Sequence, residues 1–150
     1  MNASEIEVRY ELEPERVAQL CDLYAGEWWT ADRTPADVGR MLAASAVVVA
    51  LVHRADDRLV GFARVLTDDT YVALVLDVIV AADRRREGLG AMIMEAVFSH
   101  PRLAGVASVE LTCQQGLAPF YRRFGFTDRV GGSRLMRRTA DPRLTGPVPP

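Results

Sequence analysis

Apolar and charged residues alternate from Ile6 to Leu12, the period-two pattern of a half-buried strand. Pro14 suits the first turn of a helix, and Val17, Leu20, Cys21 and Tyr24 then recur at helical spacing up to Gly26. Thr34 and Pro35 open a second short helix, with Thr34 as its N-cap and Val38, Met41 and Leu42 as its apolar stripe. The β-branched run Val47–Val52, the polar turn Asp56-Asp57-Arg58 and the run Leu59–Leu66 predict an antiparallel hairpin, and Asp68-Asp69 turns into a further strand, Tyr71–Val80. A charged loop, Ala82–Glu87, precedes a helix that begins at Gly88-Leu89-Gly90, carries Leu89, Met92, Ile93, Ala96 and Val97 on one face and ends before Pro101. Val106–Thr112 predicts a strand, Leu117–Phe124 a short helix, and Phe126–Arg138 a last strand or hairpin interrupted by Gly131-Gly132. Hairpins first and a strand–helix–strand unit later predict one α/β domain over residues 1–140, a mixed, mostly antiparallel sheet flanked by helices. The tail, 141–150, has four prolines and is expected to lie outside the core.

A length of 150 residues suffices for one domain with a buried core. The longest apolar stretches fall far short of the roughly 18 residues that span a bilayer, and the acidic N-terminus lacks the basic start of a secretory signal, so a cytoplasmic protein with no membrane partner is expected. Cys21 and Cys113, the two cysteines, are expected to be free thiols, and with His53 and His100 they form no pattern of metal-ligand spacing, so no metal is expected. All 18 basic residues are Arg, which excludes lysine Schiff-base chemistry and the P-loop. Residues 1–37 carry nine acids and three Arg, a solvated face or an attraction for a cationic substrate. No basic stripe with interleaved aromatics occurs, so no nucleic acid is expected.

The segment from Asp77 to Gly90 combines a buried strand, an Arg-rich loop and a helix entered through two glycines. The first amides of a helix lack internal partners, and its dipole favours an anion there. Glycine lets a phosphate approach the backbone, and Arg adds forked donors that match its oxygens. The dinucleotide fingerprint fails because Ile93 stands at its third glycine, and a Walker loop fails because Met92 follows Gly90-Ala91.

Arg85, Gly88 and Gly90 fill the Arg/Gln-x-x-Gly-x-Gly/Ala pattern, and this segment resembles the donor-binding signature of the GCN5-related N-acetyltransferase (GNAT) superfamily. Ala118-Pro-Phe-Tyr-Arg-Arg-Phe-Gly-Phe126 resembles that family's second signature, and Gly61-Phe-Ala-Arg64 its "G-x-x-R" strand. The resemblance spans roughly residues 5–138 and implies the acyl-CoA N-acyltransferase fold. It implies that acetyl-CoA is the cosubstrate, with its pyrophosphate cradled by the amides of Arg85, Arg86, Glu87, Gly88, Leu89, Gly90 and Ala91. The pantetheine arm would pair with the backbone of Val78, Ile79 and Val80 as an added strand. Gln115 and Phe120 would add cofactor contacts, and a homodimer is compatible with the family.

The function implied is N-acetyl transfer to a primary amine, on a small molecule or a peptide, by direct attack in a ternary complex. The alternative is a silent acyl-CoA-binding sensor or partner domain. Tyr121 matches the family's tyrosine and is the expected acid for the departing thiolate. Asp77, a carboxylate inside an apolar strand, has two readings: a base whose pKa is raised by burial, or a structural acid bonded to backbone, Arg33 or Arg64. Glu110 and His53 are weaker candidates for a base. Trp28, Trp29 and Arg33 follow the first helix, where the family builds its acceptor wall; the Trp pair either holds the amine or closes the core. Cys113 has no basic partner near it in sequence and reads as inert packing.

Overall fold

The computed structural model describes residues 5–147. The last three residues of the expected tail, 148–150, and residues 1–4 of the acidic N-terminus lie outside the described residues. Five strands form one sheet in the order β1 (Ile6–Arg9), β2 (Val47–His53), β3 (Arg58–Thr67), β4 (Val72–Val80) and β5 (Ser108–Leu111). All neighbours are antiparallel except β4 and β5, which run parallel. Parallel strands need a crossover, here the helix α3 (Leu89–Ser99). The expected α/β architecture, a mostly antiparallel sheet flanked by helices, is what the structure contains.

Local chemistry explains where the helices start. Pro14–Arg16 forms a 3-10 turn that runs into α1 (Val17–Ala25). Buried Arg16 fixes this entry by donating to the Asp57 carbonyl (2.7 Å) and carboxylate (2.6 Å) in the β2–β3 turn and to Glu13 (2.8 Å). The helix α2 (Pro35–Ala44) has Thr34 as its N-cap, as expected: the Thr34 hydroxyl accepts from the Asp37 amide at 3.2 Å, with Pro35 in the first turn.

The helices α1 and α2 cover one face of the sheet, where Leu20, Tyr24 and Val38 pack on Ala50, Val52, Leu59, Phe62 and Ile79. The helix α3 covers the other face, and Ile93 and Leu51 close tightly over Gly61. On this sheet face a Cβ at residue 61 would stand 3.0 Å from Leu51 and 3.1 Å from Ile93, so the glycine of the Gly61–Arg64 stretch serves packing.

Strand β4 changes face part-way along. Val75 pairs with Val65 and Ile79 with Phe62, residues on opposite faces of β3, so one extra residue has been inserted between them. Asp77 sits at this bulge with φ 57°, a left-handed conformation uncommon outside glycine. The bulge turns the Asp77 side chain toward α1 and its following loop, whereas unbroken alternation would have put it on the face of Val75.

The chain divides into two compact units, one ending at Thr112 and the other beginning at Cys113. The second holds the short helix α4 (Ala118–Arg122) and, among its described residues, no strand. The strand or hairpin expected over Phe126–Arg138 is therefore corrected: a turn stands at Gly131-Gly132, and Val130, Leu135 and Met136 are exposed. Four Arg residues and two glycines dilute the apolar alternation there, so no continuous face rewards ordering the segment.

Candidate functional site

The far half of β4 leads directly into the loop singled out by sequence. Strand β5 pairs with Val72–Val75 only. From Leu76 to Val80, β3 is the sole strand partner among the described residues. The chain then makes a 3-10 turn at Ala82–Arg84 and turns again through two left-handed residues, Arg86 (φ 65°) and Gly88 (φ 81°), before α3 begins. Positive φ is free for Gly88 but costs about 1 kcal/mol or more for Arg86, a strain held in the loop. Met92 makes the first helical bond, its amide donating to the Gly88 carbonyl at 3.1 Å. The amides of Leu89, Gly90 and Ala91 precede that bond and are left pointing out of the helix end.

Ion pairs brace this loop. Asp83 takes both forked donors of Arg58 (2.7 and 2.8 Å), which hold its carboxyl down at about 2. Arg85 donates to Glu27 in the loop after α1 at 2.6 Å, and Arg84 to Glu87 at 2.8 Å. An open cleft of about 440 Å³ lies beside the loop, between Asp22 and Gly26 of the α1 end and Arg58, Val80 and Arg85. Arg86, Glu87 and Gly88 are exposed, Gly90 and Ala91 half-buried, and Leu89 is anchored in the core.

Asp77 is the centre of a buried cluster, with its side chain 4% exposed. Its Oδ2 accepts from the Tyr24 hydroxyl (2.9 Å), Arg33 Nη1 (2.5 Å) and Arg64 Nε (2.7 Å), and its Oδ1 from Arg33 Nη2 (3.2 Å). The Arg33 guanidinium also lies 4.7 Å over the Tyr24 ring. Burial alone would raise the Asp77 pKa, but the hydrogen bonds and charges of Arg33 and Arg64 outweigh it, and the carboxyl sits below its ordinary value. This corrects the expectation of a pKa raised toward that of a base. The carboxylate is ionised and its lone pairs are taken, so it is the structural acid bonded to Arg33 and Arg64. Burial first, and the Asp77 charge second, push the Tyr24 phenol well above its ordinary value.

The remaining expected residues fall in distinct settings. Trp29 packs against the core beneath α1 and α2, and Trp28 is half-buried in the same loop. Arg33 belongs to the Asp77 cluster. Glu110 is exposed on β5, and His53 is tied to Asp56 at 2.7 Å. Both cysteines are free, and burial raises the Cys21 thiol. In the second unit, Gln115 is exposed ahead of α4, and Phe120 lies edge-on to Tyr121 with ring centroids 4.9 Å apart. Tyr121 is only 7% exposed, and its phenol is pushed up to about 12 by burial and by the nearby Cys113 charge. Its hydroxyl has no partner among the described residues, whereas every fully buried polar side-chain atom has one, so Oη reaches solvent. Sequence reasoning passed over Tyr24 and Glu27. The inward spacing of Tyr24 on α1 was visible, but it signals core before it signals a hydroxyl aimed at an acid. Among the described residues no group of three or more His, Cys, Asp or Glu could hold a metal, and no helix is long and apolar enough to cross a membrane.

A mixed sheet whose fourth strand bulges, loses its outer partner and runs into an Arg–Gly loop at a helix N-terminus defines a class of α/β domains with unpaired helix amides at a strand end. Comparison with known proteins narrows the class. The acetyltransferase (GNAT) domain model matches residues 44–128, more than half the chain. An uncharacterised N-acetyltransferase, ycf52, from Porphyra purpurea is 33% identical over 129 residues, covering 85% of this chain and 69% of that protein. Serotonin N-acetyltransferase 2, chloroplastic, from Oryza sativa subsp. japonica is 36% identical over 83 residues, 53% of this chain and 42% of that one. A crystal structure described as belonging to the GNAT family, from Xanthomonas campestris pv. campestris, superposes with a TM-score of 0.76 at 28% identity, covering 90% of this chain and 93% of that one. The chain belongs to the GNAT family of N-acetyltransferases.

Proposed function

We propose that this protein moves an acetyl group from acetyl-CoA to the nitrogen of a primary amine, with both bound at once. Acetyl-CoA, when bound, supplies a thioester whose carbonyl carbon accepts the amine and whose C–S bond breaks. The observation that carries the reading is the run from Leu76 to Ala91. There, among the described residues, a strand edge paired only with β3, two left-handed loop residues and three unpaired helix amides follow one another without interruption.

The donor set fits the ligand. The amides of Leu89, Gly90 and Ala91, with Arg85 and Arg86, suit a pyrophosphate. A Cβ at Gly88 would meet nothing within 4 Å, so the glycine is required there by its φ, and the mouth of the loop is open. The backbone of Val78–Val80 suits an extended amide-bearing arm, and an N–H of that edge left unpaired by β3 would suit the developing oxyanion. Tyr121 stays protonated at neutral pH and presents an unpartnered hydroxyl, which suits it to protonate the departing sulfur while the amine's proton passes to water. A relative named serotonin N-acetyltransferase supports an amine as the acceptor class.

Free-thiol release from acetyl-CoA over a panel of amines, with Arg85→Ala and Tyr121→Phe in parallel, tests this. Thiol formed with one amine class, a raised acetyl-CoA KM in Arg85→Ala and a lowered kcat in Tyr121→Phe are the expected results. Acetyl-CoA binding without thiol from any amine would replace the reading with that of a silent acyl-CoA sensor.

A further inference from the structure

The cluster around Asp77 holds two guanidiniums and one carboxylate. Asp77 is the only acid paired with Arg33 or Arg64 among the described residues, which leaves a surplus of one positive charge. The two cations are not used alike. Arg33 spends both Nη groups on Asp77, touches the Met41 sulfur and lies on the Tyr24 ring. Arg64 donates through Nε alone, and its two Nη groups, with four N–H donors, have no partner among the described residues. Its side chain is only 13% exposed. Since no fully buried side-chain nitrogen or oxygen among the described residues lacks a partner, those Nη groups open to solvent from an otherwise enclosed side chain. A planar fork held in place at Nε and open at Nη is built to take two oxygens of one anion.

Its placement matters as much as its charge. Arg64 lies opposite Leu76 on β4, next to the bulge, and Asp77 leads straight into Val78–Val80. Paired strand positions stand about 5 Å apart, so an anion on Arg64 would lie beside the strand proposed to carry the thioester. The same geometry disfavours a cationic acceptor. Both Asp77 oxygens are already occupied, and Glu27, in the loop after α1, is committed to Arg85.

We infer that Arg64, steadied by Asp77 and backed by Arg33, recognises an oxyanion on the acceptor, so that the amine acetylated by this protein also carries a carboxylate or a phosphate group. This rests on the acyl-transfer reading for the fate of the amine, while the claim about anion binding stands without turnover.

The test is calorimetric titration of the full chain, with CoA present, using two matched pairs of acetylated products. These are N-acetylphenylalanine against N-acetylphenylalaninamide, and N-acetylglucosamine 6-phosphate against N-acetylglucosamine. In at least one pair the anionic member should bind about tenfold tighter or more, as a charge-assisted forked contact predicts. The responding pair distinguishes carboxylate from phosphate. R64Q should shrink that gap to below about threefold, and R64K, which keeps the charge and loses the fork, should restore part of it. CoA affinity within about twofold of wild type in both variants shows that the fold is intact. Equal binding within both pairs, no binding of either anion, or a gap that survives R64Q overturns the inference. Anion preference without thiol release from any parent amine would keep the anion site and remove the acyltransferase reading. Thiol release from neutral amines with no anion preference would do the reverse.

Discussion

Two side chains behave differently from what their types suggest. Burial pushes the Tyr121 phenol up to about 12, so it remains a proton donor where an ordinary phenol, at about 10, would begin to ionise. Tyr121→Phe should lower kcat about 10²- to 10⁴-fold with a smaller change in KM, and the wild-type kcat should show no alkaline fall up to about pH 10. A fall centred near 9 would remove Tyr121 as the acid. Asp77 is the counter-charge for Arg33 and Arg64, and Asp77→Asn would leave both guanidiniums half-enclosed without it. A loss of about 3–5 kcal/mol is expected from urea unfolding at neutral pH. The sign of the pH effect follows from the depressed folded pKa. The contribution is complete above the ordinary carboxylate value of about 3.9 and disappears as pH falls through the folded value, so wild type and variant should converge in acid. A constant difference down to about pH 2 would show that the charge is not the cause.

At the scale of elements, the fit between α3 and the sheet depends on Gly61. Gly61→Ala must push Leu51 and Ile93 aside, which should cost about 1–3 kcal/mol and lower Tm while leaving the acetyl-CoA KM little changed. An unaltered Tm would mean that α3 gives way freely. Gly88→Ala tests the other end of the same helix. Space is available there, but φ 81° is not, so the loop must rearrange or bear about 1–2 kcal/mol of strain. The acetyl-CoA KM should rise more than kcat falls, and an unchanged KM would separate the loop from the donor. Most element boundaries could be predicted because helix and strand periods are short-range properties. Thr34 as N-cap and the start of α3 at Gly88 follow from two or three neighbouring residues. The segment 126–138 misled for the complementary reason. A strand exists only with a partner, and nothing in Val130, Leu135 and Met136 specifies one.

For the molecule as a whole, the expected domain end near residue 140 is testable by truncation. In the described part of the tail, Arg143 donates to the Asp141 carboxylate and Arg137 to the Leu144 carbonyl. A chain ending at Ala140 should therefore keep its Tm within about 2 °C and its acetyl-CoA affinity, whereas a drop beyond about 5 °C would make the tail part of the fold. The sequence by itself determined the order of the helices and of the five sheet strands, the Arg85–Gly90 loop and the Ala118–Phe126 signature that mark the family. Those features are written in residues close along the chain, where spacing alone sets helix faces, caps and unpaired amides. Only the tertiary structure decided that Asp77 is an ionised brace, that β4 bulges to present it, and that Arg64 keeps an open fork. The partners that settle these points, Tyr24, Arg33 and Arg64, stand 53, 44 and 13 residues from Asp77, and a carboxylate's protonation depends on charges brought within hydrogen-bond distance by folding.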